Sequence, residues 1–237
     1  MTFSVSGNYF NHSRRTSKYE SHNEGQYTST GNRLFQDDSG QSSAHGGYGG
    51  FELSYEPDTL NLITAEGNAF FYTTNYDLFE TVRLANPAGK DIYKYSFQSY
   101  YPQNKYLDLE ANVNYQRSTR RKGETITLSY QVSTTDQNRD QTTEYFDLHN
   151  APMDYTGIVA TGKLNFIEHT AQLDWTRPYG KKHILDLGAK FIHRSNHSDN
   201  NRAYTGTPRT TADDFIHRTS IGAAYADYRL RLSKWTV

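Results

Sequence analysis

The sequence predicts an all-β protein, an antiparallel meander of about eight long strands. Three observations carry this. Apolar and polar residues alternate with a period of two along extended stretches, as on a strand with two unlike faces. The connections between these stretches are alternately short and long. The composition is aromatic yet polar, with 20 Tyr and 12 Phe among 237 residues but only 35 % hydrophobic residues and a mean hydropathy of −0.88.

The clearest hairpin runs from His169 to His193. Ala171, Leu173 and Trp175 alternate with Gln172, Asp174 and Thr176, and Leu185, Leu187, Ala189 and Phe191 alternate with Asp186, Gly188 and Lys190. Pro178 and Gly180 mark the turn between the arms. The other segments repeat the pattern in chain order. Phe3, Val5, Gly7 and Tyr9 oppose Ser4, Ser6 and Asn8; Phe51, Leu53 and Tyr55 oppose Glu52, Ser54 and Glu56. Ile63, Ala65, Ala69 and Phe71 oppose Thr64, Glu66 and Asn68. The cleanest run sets Leu107, Leu109, Ala111, Val113 and Tyr115 against Asp108, Glu110, Asn112, Asn114 and Gln116. Ile126, Leu128, Tyr130 and Val132 follow, and Ala224, Ala226, Tyr228, Leu230 and Leu232 close the series. Runs of about 10 residues are long enough for tilted strands to cross a bilayer.

Short polar turns are expected at residues 56–61, 118–123 and 178–182, and long polar loops at 14–46, 74–104, 134–164 and 195–216. Within the first two loops, Gln26 to Phe35 and Tyr93 to Tyr101 read as projecting hairpins. Large loops on one side and tight turns on the other are the rhythm of a membrane barrel. The connections of a soluble sandwich are usually short at both ends. Tyr55, Tyr115, Trp175 and Tyr228 fall on the apolar face near short turns, and Phe71 and Phe191 near long loops, where interfacial aromatic girdles belong. The predicted fold class is therefore an antiparallel meander forming part of a transmembrane β-barrel. Apolar side chains face lipid and the acidic and amide residues face a wet lumen.

Composition excludes other classes. The aromatic content argues against disorder, and a net charge of −1 gives no electrostatic case for nucleic acid. Without cysteine the chain forms no disulfide or thiolate metal site. No apolar run approaches the roughly 20 residues of a membrane helix. Met1 runs directly into FSVSGNYF without an export signal.

Residues 167–196, IEHTAQLDWTRPYGKKHILDLGAKFIHRSN, and 107–133, LDLEANVNYQRSTRRKGETITLSYQVS, resemble the barrel portion of Gram-negative outer-membrane β-barrel proteins related to TonB-dependent receptors. The resemblance implies a barrel of roughly 22 strands, filled by an N-terminal plug and energised through a TonB-contacting segment. Neither the plug nor that segment is visible, and Lys234-Trp235-Thr236-Val237 reads like a further short turn. Residues 1–237 are thus expected to be a barrel segment whose plug and remaining strands lie elsewhere in the same protein.

Three constellations carry residues of the right type for chemistry. Asp136, Asn138 and Asp140, with Asp147 at the twelfth position, have calcium-loop spacing, but Gln141 stands where that loop needs glycine, and a solvated loop is the better reading. His193, His197 and His217 flank one loop without the tight spacing of a zinc site, and read as scattered histidines. Glu52, Glu66, Asp108, Glu110, Asp174 and Asp186 could include a glycosidase pair. They recur on every strand among Asn, Ser, Thr and Gln, as a wet lumen requires. No catalytic, cofactor or metal residue is assigned, and the chain is not expected to be an enzyme. Outer-membrane lipid is an expected partner, and Tyr and Asn of the outer loops are suited to an unidentified small molecule or oligosaccharide.

The leading expectation is a barrel segment serving nutrient uptake in the outer membrane. The alternatives are a complete small eight-stranded barrel with a structural or adhesive role, and a soluble all-β carbohydrate-binding module.

Overall fold

A computed structural model describes residues 1–12, 17–232 and 235–236. It is one antiparallel meander: β1 (Thr2–His12), β2 (Lys18–Gln26), β3 (Arg33–Asp58), β4 (Asn61–Ala85), β5 (Asp91–Ser118), β6 (Thr125–His149), β7 (Gly157–Tyr179), β8 (His183–Thr205), β9 (Thr210–Leu232) and β10 (Trp235–Thr236). β1 and β2 lie end to end along β3, β1 pairing Thr2 with Ser54 and β2 pairing Gln26 with Arg33. From β3 onward each strand pairs with the next, and β1 and β9 do not pair among the described residues.

All eight apolar segments lie on strands, and their register joins them into one face. Leu53 pairs with Ala65, Ala65 with Val113, Val113 with Tyr130, Tyr130 with Ala171 and Ala171 with Phe191. Opposed residues share a face, so this row is apolar throughout. The row below it, Tyr55, Ile63, Tyr115, Leu128, Leu173, Ala189 and Ala224, is apolar too. Nothing among the described residues packs over this face. Leu128 is 52 % exposed and Leu173 49 %, and the buried hydrophobic residues among those described are Val82 and Ala85 alone. A soluble sandwich would bury Leu109, Leu128, Leu173 and Leu187 against a second sheet; here there is only one sheet.

The apolar band runs obliquely across the rows. On β5 it spans Tyr115 up to Leu107, whose partner on β6 is already Asp136. On β8 it spans Leu185 up to Phe191, and His193 follows. The aromatic edge descends in step, because the row that holds Tyr55 and Tyr115 reaches Ala189 on β8, whereas Tyr228 faces Leu185 further down. Tilted strands crossing a flat slab must shift their apolar stretch in this way.

The long loops expected at 14–46, 74–104, 134–164 and 195–216 are a correction. These residues continue the strands: β4 has 25 residues and β5 has 28, where about 10 suffice to cross a bilayer. At roughly 3.4 Å per residue the sheet therefore extends far beyond the band. The connections at that end, 27–32, 86–90, 150–156 and 206–209, are four to seven residues long, against two to six for those at 59–60, 119–124 and 180–182. Polar residues read as loop because no apolar face marked them, yet cross-strand pairing satisfies their backbone groups. The stretch 26–35 does form a hairpin end, between β2 and β3, whereas 93–101 is corrected to a single arm, upper β5, paired with β4. Gly123 and Gly180 take the left-handed conformation in their turns (φ 82° and 70°). Lys234 and Val237, assigned to a further turn, lie outside the described residues, while Trp235 and Thr236 pair back onto β9.

One irregularity organises the extension. Tyr72 pairs with Tyr106, and Tyr76 with Tyr101, so β5 carries one residue more than β4 between the two pairs. The register of β5 against β6 shifts at the same place, and Gln103 adopts φ 46°. A bulge of this kind reverses which face each later side chain occupies. Below it, odd-numbered β5 residues share the apolar face; above it, Tyr93, Tyr95, Phe97, Ser99 and Tyr101 share the polar face.

Candidate functional site

On the polar face within the band, Glu66, Asp108, Glu110, Asp174 and Asp186 each hold a hydrogen-bonding partner. Glu66 accepts from the Asn112 amide (3.2 Å), Glu110 from Gln131 (2.6 Å), and Asp108 from Tyr106 (3.2 Å) and Thr135 (3.1 Å). Asp186 accepts from the Thr176 hydroxyl (2.6 Å) and pairs with Arg229. Tyr225 lies across Gly188, where an added Cβ would stand 2.1 Å from the ring, and donates to Asp174 (2.5 Å). An aromatic ring laid over a neighbouring strand's glycine is a known device for closing a backbone gap in a sheet. Glu52 and Glu66 face each other directly across β3 and β4. All six acidic residues singled out in the sequence lie on this face, dispersed over five strands.

The other two constellations are taken apart by the fold. Asp136, Asn138 and Asp140 lie within β6 in regular register with Asn165, Lys163 and Thr161. Alternate residues of an extended strand stand about 6–7 Å apart and do not turn inward around an ion. Asp136 instead accepts from the Asn165 amide (2.5 Å). The expected loop setting is thus corrected to strand. Among the histidines, His193 and His197 share the apolar-face side of β8, whereas His217 pairs with Asn196 on the opposite face. His197 meets Asp214 (2.8 Å) and His193 meets Ser220 (2.9 Å).

Sequence reading missed the feature that the β5 bulge creates. On the polar face above the band, Tyr93, Tyr95 and Phe97 follow one another along β5, with ring centroids 6.0 and 6.5 Å apart. Phe97 meets Tyr145 of β6 at 5.5 Å, Tyr145 meets Tyr155 at 5.6 Å, and Tyr155 meets Tyr204 of β8 at 5.0 Å. Arg209 caps the series, 4.1 Å over Tyr204 and 5.3 Å over Tyr155, and ion-pairs with Asp154 (3.5 Å). The rings form an unbroken ridge over four connected segments. Beneath it Ser99 and Thr143, each 2 % exposed, share a hydrogen bond of 2.7 Å.

The surroundings of the ridge are asymmetric. On the β3–β4 side Asp38 faces Glu80, whose carboxyl burial pushes up while the Gln36 amide (3.1 Å) partly offsets this. Burial, then Tyr155 and Tyr95, pushes the Tyr145 phenol up to about 12. Lower on the same face stand two smaller aromatic groups, Phe70 with Tyr72 and Tyr106, and Tyr19 with Tyr76 and Tyr101. Aromatic groups therefore recur from the band to the far turns. The only sequence signal for the ridge was the i, i+2 aromatic spacing of Tyr93, Tyr95 and Phe97, since its cross-strand members are distant in the chain.

Such an arrangement performs no bond chemistry by itself. It offers flat apolar faces edged with hydroxyls and amides, which suit stacking against ring-shaped polar ligands. A family model described as an outer membrane protein beta-barrel family matches residues 117–237, just over half of the chain, covering β6 to β9. No curated protein matches it.

Proposed function

Because the chain belongs to the outer membrane protein beta-barrel family, we propose that it is a wall segment of a TonB-dependent-receptor-like barrel that captures a scarce nutrient outside the cell. The protein resides in the outer membrane as part of a transmembrane β-barrel. In this reading the oblique apolar band faces lipid, the polar face lines the lumen, and the extension stands on the outside with the ridge as its capture surface. A plug contributed by the rest of the protein gates the lumen, and TonB supplies energy through that plug. The barrel contributes wall, lumen and binding surface, and no reaction.

The observation that carries the reading is the ridge from Tyr93 to Tyr204, on the polar face well above the band, the face this reading turns to the lumen. A barrel serving only as an anchor has no use for clustered rings there. Among the described residues, the open edge of β1 and that of β9 beyond its short pairing with β10 also fit a wall continued by further strands. The test is growth on single limiting nutrients, comparing the parent strain, a deletion, and the triple variant Tyr95→Ala, Tyr145→Ala, Tyr204→Ala. The variant should reproduce the deletion's growth defect while the amount of folded barrel in the membrane stays unchanged, and an uncoupler should abolish uptake in the parent. Uptake that ignores both the ridge and the uncoupler would sink the proposal.

A second reading, a complete small barrel with a structural or adhesive role, is favoured by strand count. Taking β1 and β2 as one interrupted strand, the meander to β9 has eight members, enough to close. It requires β1 to pair with β9, so cysteines placed at Val5 and at Gly222 should cross-link in membranes under that reading and stay reduced under the first.

A further inference from the structure

Next to the ridge, two rows of the polar face form a small-floored cleft. One row is Arg139, Gly162, Asn200 and Asp213; the next is Gln141, Ala160, Arg202 and Thr211. Gly162 and Ala160 carry almost no side chain, which leaves a cleft of about 310 Å³ between their neighbours. Any side chain at Gly162 would crowd the Asn200 carboxamide, 3.0 Å from the added Cβ.

Arg117, Arg120, Arg121 and Arg218 share with the arginines of this cleft the lack of an ion pair among the described residues, but only Arg139 and Arg202 line one cleft together. Arg83, Arg194 and Arg229 on other parts of the sheet each hold a carboxylate. Arg139 and Arg202 have no acidic partner among the described residues. Arg139 lines the cleft from β6, Arg202 from β8, and Asp213 closes it on the β9 side. The cleft is continuous with the ridge. Arg202 and Tyr204 are successive residues on one face of β8, and Gln141 donates to Thr143 (2.9 Å), the residue on which the ridge rests. Flat rings, amides and guanidinium forks thus stand side by side. Rings stack on the C–H faces of a pyranose, amides take its hydroxyls, and a guanidinium fork grips a planar carboxylate with two parallel hydrogen bonds.

We propose that cleft and ridge form one site for an acidic oligosaccharide, with its uronate-type carboxylates on Arg139 and Arg202 and its sugar faces on Tyr204, Tyr155 and Tyr145. This names the ligand class for the capture surface and rests on that reading. An acidic glycan offers both chemistries along one extended chain, which a ligand bearing only rings or only charge does not. Neutral glycans would leave the two guanidinium groups unused.

The test uses the whole barrel protein to which this wall segment belongs, in detergent micelles, with an oligogalacturonide and its carboxyl-reduced, neutral counterpart as probes and calorimetry as readout. The acidic probe should bind about tenfold or more tightly than the neutral one, as charge-assisted hydrogen bonds imply, and the advantage should shrink as salt rises. The double variant Arg139→Gln, Arg202→Gln should lose that advantage while keeping its affinity for the neutral probe. Arg139→Lys, which keeps the charge without the fork, should fall between, and Tyr204→Ala should weaken both probes. Equal binding of the two probes overturns the acidic preference and leaves the capture reading standing. Binding of neither, or equal binding of a simple aromatic acid, overturns the saccharide assignment. Failure of the capture reading shows separately, as uptake indifferent to the ridge.

Discussion

The Ser99 hydroxyl of β5 and the Thr143 hydroxyl of β6 meet at 2.7 Å beneath the aromatic ridge, both essentially sealed from water. Two small polar groups are an unusual floor for a hydrophobic platform. They serve because they are each other's partner, so neither hydroxyl is buried unsatisfied, and their small size lets Phe97 and Tyr145 approach to 5.5 Å.

Thr143→Val keeps the shape and leaves the Ser99 hydroxyl without its partner. A loss of about 1–2 kcal/mol is expected, localised to the extension and read as faster amide hydrogen exchange in upper β5 and β6. Ser99→Ala combined with Thr143→Val should cost less than the single Thr143 change. Both variants equally free the Gln141 amide, which also donates to Thr143 (2.9 Å), so a double variant that costs more would mean that the Ser99 hydroxyl does not depend on Thr143.

The β5 bulge makes a sharper prediction. Phe97 and Tyr145 are direct cross-strand partners, and the chain has no native cysteine. Phe97→Cys with Tyr145→Cys should therefore oxidise to a cross-link, seen by a mobility shift on gels. Deleting Gln103 in that background removes the extra residue, turns position 97 to the other face and should abolish the cross-link. Its persistence would mean that some other residue sets the phase of upper β5.

The limits of the apolar band can be tested with one side chain. Leu128→Arg lies within it and should cost about 2–4 kcal/mol in folding into lipid vesicles. Val159→Arg, on the same face of the extension and 47 % exposed, should stay within about 0.5 kcal/mol of wild type. Equal costs at both positions would mean the band ends elsewhere.

Tyr145 supplies a pH test. Burial, then its neighbours Tyr155 and Tyr95, raises its pKa to about 12, above the unfolded value of about 10. The folded state therefore favours the neutral phenol. The stabilisation is complete below about pH 10 and is lost as pH rises toward 12. Tyrosinate absorbance of the folded chain should show a late component that Tyr145→Phe removes. If Tyr145 titrates with the exposed tyrosines, the ridge is not packed as described.

Local chemistry was legible in the chain and non-local pairing was not. A period of two is a property of consecutive residues, so Leu107 to Tyr115 and Ala171 to Trp175 announced strands, one apolar face, and the tight turns at Gly123 and Gly180. The match of a β-barrel family to residues 117–237 agrees with that reading. The same rule failed where both faces are wet, because a polar strand such as Asp136 to Asp140 has no contrast between its sides and reads as loop. Only the three-dimensional pairing decided that these residues are strand, that His217 turns away from His193 and His197, and that one extra residue near Gln103 swings Tyr93, Tyr95, Phe97 and Tyr101 onto the polar face. The physical reason is register: which face a side chain occupies above a bulge depends on the partner strand's hydrogen bonds, and those are made by residues dozens of positions away.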